Sequence, residues 1–218
     1  MKTKGFIFDL DGVIVDTAKY HFLAWKNLAN SLGFDFTETQ NEQLKGVSRV
    51  ESLKKILNWG NTTVTDEKFQ ELMTLKNTEY LEFINKMDDS EILPDVPRVL
   101  DYLKDNRQGV SLGSASKNAR VILEKVHILS KFDAIVDGND VSKAKPDPEV
   151  FLNAAKEINI KPEDCIVFED SVAGVQAANT ANMISIGIGS KDVLHEADYI
   201  FNDFTEISTE FINKLINN

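Results

Sequence analysis

Three features of the sequence predict a doubly wound parallel α/β sheet with a helical insert. Short, mostly apolar β-rich runs alternate with helical stretches over most of the chain. The stretch from about residue 17 to residue 90 breaks that alternation and carries no good strand run. Polar clusters follow several of the strand runs directly, where open α/β sheets bind ligands.

The elements follow in order. Phe6-Ile7-Phe8, Val110-Ser111-Leu112, Ala134-Ile135-Val136, Cys165-Ile166-Val167-Phe168 and Ile184-Ser185-Ile186-Gly187-Ile188 read as strands. They are continuous rather than alternating in hydrophobicity, as strands covered on both faces should be. Helical patterns lie between them at Val96–Asp105, Asn118–Val126, Pro148–Ile158 and Ser171–Asn182. Tyr199–Phe201 reads as an edge strand and Glu206–Ile216 as a closing helix. The insert reads as helices over Ala18–Leu32, Arg49–Asn58 and Asp66–Lys86, with Gly33, Gly46 and Gly60 near their ends. The expected division is a core of residues 1–15 and 93–218 and a helical cap of residues 16–92. The chain then crosses twice, near Asp16 and near Ile92-Leu93-Pro94-Asp95, which suits a hinge.

Composition bounds the function. With 218 residues and 42% apolar content, the chain can bury a substantial core. Its 24 Lys+Arg against 35 Asp+Glu leave a net charge of −11. Such a surface repels nucleic acid and anionic membrane faces, so neither is an expected partner. The single Cys165 cannot form an intramolecular disulfide, and the apolar run at Phe6–Phe8 is too short for a signal peptide. A cytoplasmic location is the expectation. Cys165 lies mid-strand and reads as packing rather than a nucleophile.

Four clusters can carry chemistry. In Asp9-Leu10-Asp11-Gly12 the two carboxylates point the same way if the segment is extended. One could act as a nucleophile and the other as a general acid/base. The same residues would serve as an acidic turn. Ser114-Ala115-Ser116 stands between a strand and a helix, where a hydroxyl and free N–H groups suit a phosphate. Ser116 could equally be an N-cap. In Lys145-Pro146-Asp147-Pro148 the lysine could neutralise phosphate and carboxylate together, with Asp147 an N-cap and Pro148 in the first helical turn; a solvated lysine beside a turn is the alternative. Glu169-Asp170-Ser171 offers oxygen ligands for Mg²⁺, or else a helix cap. The small residues Ala173, Gly174, Ala177 and Ala178 read as a packing face.

Together, in this order and spacing, the clusters resemble the four motifs of the haloacid dehalogenase superfamily, and the insert resembles its helical cap class. The resemblance implies a Rossmann-like core and phosphoryl transfer through an aspartyl-phosphate on Asp9. Asp11 would be the general acid/base, Ser114 and Lys145 would hold the transferring group, and Mg²⁺ would be held by Asp9, the Asp11 carbonyl, Glu169 and Asp170.

A closer resemblance is to the sugar-phosphate mutases within that superfamily. His21 and Trp25 match their hinge-side pattern, and Lys45-Gly46-Val47-Ser48-Arg49 resembles their cap substrate loop. The substrate-binding set so implied is Thr17, His21, Trp25, Gly46, Val47, Ser48, Arg49, Ser52, Lys76, Ser114, Ala115, Ser116 and Asn118. Arg49 would grip a second phosphate. On the residues alone, His21 and Trp25 are one face of a helix, and Arg49 and Lys76 are surface charges. Lys45, Lys54 and Lys55 read as solvated charge.

The implied reaction is β-D-glucose 1-phosphate to glucose 6-phosphate, with β-glucose 1,6-bisphosphate as primer and intermediate, in a monomer. A small-molecule phosphatase of the same superfamily, acting on a sugar phosphate or phosphoglycolate, is the alternative. A phospho-acceptor module similar to receiver domains is disfavoured, because those lack a cap and carry the acceptor on an internal strand.

Overall fold

The computed structural model describes residues 3–217. Six strands form one parallel sheet: β1 (Gly5–Phe8), β2 (Gly109–Gly113), β3 (Ala134–Val136), β4 (Cys165–Glu169), β5 (Ile184–Ile188) and β6 (Tyr199–Phe201). The order is β3-β2-β1-β4-β5-β6. The first strand is therefore central, and the chain winds outward from it on both sides. Tyr199–Phe201 is an edge strand, as expected.

Side chains of β1 alternate between two cores, as strand geometry requires. Phe6 and Phe8 join one cluster with Leu100, Leu112, Ile122, Phe168 and Leu215. Ile7 joins the other with Phe151, Ala154, Val167 and Ala177. Phe8 and Phe168 stack with ring centroids 4.6 Å apart. Helices α5 (Val96–Asp105), α6 (Ala119–Lys125) and α9 (Thr209–Asn217) cover the first face, and α7 (Glu149–Glu157) and α8 (Val172–Thr180) the second. Burying both faces explains the continuous apolar strands.

Between β1 and α5 lie α1 (Ala18–Ser31), α2 (Glu38–Glu42), α3 (Arg49–Trp59) and α4 (Asp66–Ile84). α1, α3 and α4 share a third cluster built on Trp25, Leu28, Phe36, Leu53, Ile56 and Leu72, to which α2 adds no buried residue. The inner ends of α1 and α4 also reach the first core through Ala24, Tyr80 and Ile84. The short α2 was missed in the sequence. Its signal was Thr37 and Gln40, which form a reciprocal capping box. The two crossing segments pair with each other: Asp16 N–H donates to Glu91 O at 2.9 Å and Leu93 N–H to Ile14 O at 3.0 Å. Among the described residues, no helix is long and apolar enough to cross a membrane.

Candidate active site

Register brings the motifs together. Phe8 pairs with Leu112 on one side and Phe168 on the other. Residues that end or follow these three strands must emerge side by side at one sheet edge. They are Asp9 and Asp11, then Ser114, then Glu169 and Asp170.

Lys145 bridges two of them. Its Nζ is 2.5 Å from Asp9 Oδ1 and 2.5 Å from Glu169 Oε1, with the lysine and Glu169 side chains fully buried. Burial opposes its charge, but the two carboxylates win and hold it above the ordinary lysine range. Burial pushes Asp9 up, against the pull of Lys145. Asp170 is pushed up to about 7 by burial, with Lys45 opposing.

Glycines make this crowding possible. A Cβ on Gly174 would fall 1.9 Å from Glu169 Oε1, and one on Gly12 (φ +83°) would fall 2.3 Å from Asp170 Oδ2. Gly174 therefore does more than pack: its missing side chain is the space that Glu169 occupies. Ser171 caps α8 through Gly174 N–H and donates its own hydroxyl to Glu169 Oε2 at 2.9 Å.

Asp11 has different partners. The Thr17 hydroxyl donates to its Oδ1. His21 Nε2 lies 3.7 Å from the same oxygen. Burial pushes Asp11 up, yet His21, Thr17 and Lys76 together hold it below the usual carboxylate range. His21 is itself lowered, by burial and then by Lys76. Lys76 Nζ lies 2.8 Å from His21 Nδ1, so a charged Lys76 donates there and leaves the Nε2 proton facing Asp11.

Above this floor α1, α3, α4 and the Leu44–Val47 loop roof a cleft. Asp9, Asp11, His21, Trp25, Gly46, Val47, Arg49, Ser52, Lys76, Ala115, Ser116, Asn118 and Asp170 line it. Ser48 and Lys145 line an adjoining groove. Lys76 sits 4.8 Å from the Trp25 ring centroid and 4.4 Å from that of Tyr80, and burial lowers it to about 7. Burial also lowers Arg49. Among the described residues neither roof cation has a carboxylate ion-pair partner.

Several expectations need correction. Thr17 and Ser114 are fully buried and are not among the residues that line the cleft. Thr17 is spent on Asp11, and Ser114 Oγ accepts from Ser116 N–H at 3.1 Å. Ser116 is not an N-cap: α6 starts at Ala119, and Ser116 Oγ accepts from Asn118 N–H at 3.3 Å within the preceding turn. Pro148, not Asp147, is the residue before α7, although Asp147 Oδ1 still accepts from Glu149 N–H at 3.0 Å. Lys45 is not solvated charge, since its Nζ lies 3.3 Å from Asp170 Oδ2. Asn41, Leu44 and Lys117 also line the cleft and were not picked out. Lys54 and Lys55 do lie on the surface. Cys165 is pushed up to about 12 by burial, which removes it as a nucleophile.

The donor set fits a hard divalent cation. Asp9, Glu169 and Asp170 present buried carboxylate oxygens at one edge. Among the described residues no group of three or more acidic, imidazole or thiol side chains is gathered closely enough to hold a metal ion by itself. Mg²⁺ does not need one, because it keeps waters and shares substrate oxygens.

A buried carboxylate pair beside a clamped lysine, under a cationic roof, defines a site for moving an anionic phosphoryl group. Residues 3–182 match the haloacid dehalogenase-like hydrolase family, and the chain belongs to it. It is 41% identical over 213 residues to a β-phosphoglucomutase of Bacillus subtilis, covering 97% of this chain and 94% of the relative. A phosphorylated carbohydrates phosphatase of Thermotoga maritima is 30% identical, with 81% of each chain covered. A crystal structure of β-phosphoglucomutase from Clostridium difficile superposes with a TM-score of 0.95 at 40% identity, covering 99% of this chain and 98% of that one.

Proposed function

We propose that this chain is a phosphomutase interconverting β-D-glucose 1-phosphate and glucose 6-phosphate, with β-glucose 1,6-bisphosphate as primer and intermediate. The observation that carries the reading is the pair of roof cations, Arg49 and Lys76, without carboxylate partners. A phosphatase needs to grip one phosphate; a mutase needs a second anion site for the phosphate that stays behind. The Bacillus relative supports the same reading.

Lys145 occupies Asp9 Oδ1, which leaves Oδ2 to attack phosphorus. Primer first leaves a phosphoryl group on Asp9. Asp11 takes the proton from the 6-hydroxyl of β-glucose 1-phosphate, that oxygen attacks the aspartyl-phosphate, and the Asp9–phosphorus bond breaks to give the bisphosphate. The bisphosphate turns over in the cleft. Asp9 then attacks its other phosphorus, the phosphorus–oxygen bond at C1 breaks, and Asp11 gives that oxygen the proton, which frees glucose 6-phosphate and restores the aspartyl-phosphate. The proton returned in one half-reaction is the one spent in the other. Asp11 held low by His21 and Thr17 suits the half in which it is the base. Asp9, the Asp11 carbonyl, Glu169 and Asp170 would hold Mg²⁺, which when bound supplies charge neutralisation of the transferring oxygens. We read residues 16–92 as the cap that excludes water and 1–15 with 93–218 as the core. The reading takes the protein as a monomer, and one buried cysteine suits a reducing cytoplasm.

The test is a coupled assay with Mg²⁺ comparing α- and β-glucose 1-phosphate. Primer-dependent glucose 6-phosphate from the β-anomer is expected. Inorganic phosphate as the main product overturns the reading in favour of a phosphatase.

A further inference from the structure

The Leu44–Val47 loop is seated on the residues that carry the metal-binding acids. Lys45 Nζ reaches Asp170 Oδ2 at 3.3 Å and Glu42 Oε2 at 3.0 Å. The Lys45 side chain is 28% exposed and that of Asp170 is 9%. Next to it Gly46 takes φ +70°, and a Cβ there would fall 2.5 Å from Ser171 Oγ. Ser171 in turn bonds Glu169 Oε2 through both N–H and hydroxyl at 2.9 Å. Two adjacent residues of the roof thus touch Asp170 directly and Glu169 through Ser171.

We propose that Lys45 is a positioning residue through which the roof senses the metal site: its ammonium and a divalent cation compete for the Asp170 carboxylate. Two cations on one buried carboxylate repel, and the repulsion is poorly screened there. By linkage, a seated Lys45 weakens cation binding, and a bound cation loosens the loop by the same factor. A vacant metal site would then keep the roof down, and cation binding would ready it to open for substrate. The inference rests on Asp170 being a ligand, as in the proposed function, but not on which sugar is used.

The test is Mg²⁺ titration by calorimetry without any sugar phosphate. Lys45→Met should tighten Mg²⁺ binding about fivefold or more, in the range of ordinary couplings. Lys45→Arg should stay near wild type. Lys54→Met, which removes an exposed lysine paired with Glu51, is the control and should change nothing. Hydrogen exchange at the Lys45–Val47 amides should speed up with Mg²⁺ in the wild type and not in Lys45→Met. An unchanged Mg²⁺ affinity in Lys45→Met, or exchange that ignores Mg²⁺ in the wild type, overturns the proposal. No Mg²⁺ binding by the wild type overturns it together with the metal assignment. A wild type that binds Mg²⁺ and shows the Lys45 contrast, yet fails to turn over β-glucose 1-phosphate, overturns only the mutase reading.

Discussion

The floor and the roof of the cleft handle buried charge in opposite ways. Lys145 in the floor is locked between Asp9 and Glu169 and is held above the ordinary lysine range. Lys76 in the roof is just as buried, but its neighbours are a histidine and two aromatic rings, and it falls to about 7. The floor clamps its lysine between two carboxylates before any substrate arrives. The roof is short of negative charge, and a phosphate would supply it. The floor therefore serves the chemistry, and the roof reads whether the correct anion has arrived.

That division can be broken from either side. Asp9→Asn strikes the floor and should cost about 10⁴-fold or more in kcat. Circular dichroism and the melting curve should stay native, since the isosteric amide keeps the packing. Arg49→Ala strikes the roof and should cost about 10²-fold in kcat/KM, well beyond the loss of an exposed charge. Steady-state kinetics with an unchanged kcat and KM would show that the roof does not bind phosphate. Thr17→Val removes the hydroxyl that holds Asp11 and should cost about tenfold in kcat, with the basic group of the pH–rate profile moving upward.

Lys76→Met should have the smallest and most telling effect. It should slow turnover yet stabilise the free protein by about 1–2 kcal/mol, read by urea unfolding. The sign follows from linkage. Lys76 is lowered to about 7 from 10.5. Between those values the unfolded chain binds the extra proton, so wild-type stability rises with pH. The variant's advantage should be full below about pH 7 and fade toward pH 10. A destabilised Lys76→Met would mean that its aromatic contacts outweigh the buried charge.

The same division explains what could be read from the sequence. Asp9 directly follows β1 and Glu169 ends β4, so the sheet register gathers them at one edge and they were legible once the strands were. Lys145 lies well beyond β3 and was legible from its Lys-Pro-Asp-Pro run instead. The roof was legible only by resemblance, because its groups are spread over three helices and a loop. Lys76 did leave a mark, for it shares a four-residue stripe with the buried Leu72, Tyr80 and Ile84. A lysine at an apolar position of that stripe is a signal that a surface reading overlooks. Lys45 left none: it resembles the exposed lysines around it, and only the fold brings it to Asp170. Likewise nothing local distinguishes the spacing role of Gly174 from plain helix packing.

The most direct test of the division is product partition from β-glucose 1-phosphate, measured as glucose 6-phosphate against inorganic phosphate in the wild type and in Arg49→Ala. Glucose 6-phosphate should dominate in the wild type. In Arg49→Ala the surviving turnover should shift toward inorganic phosphate, because the floor still loads Asp9 while the roof no longer holds the sugar in place of water. A ratio that is the same in both proteins would contradict the assignment of chemistry to the floor and selection to the roof.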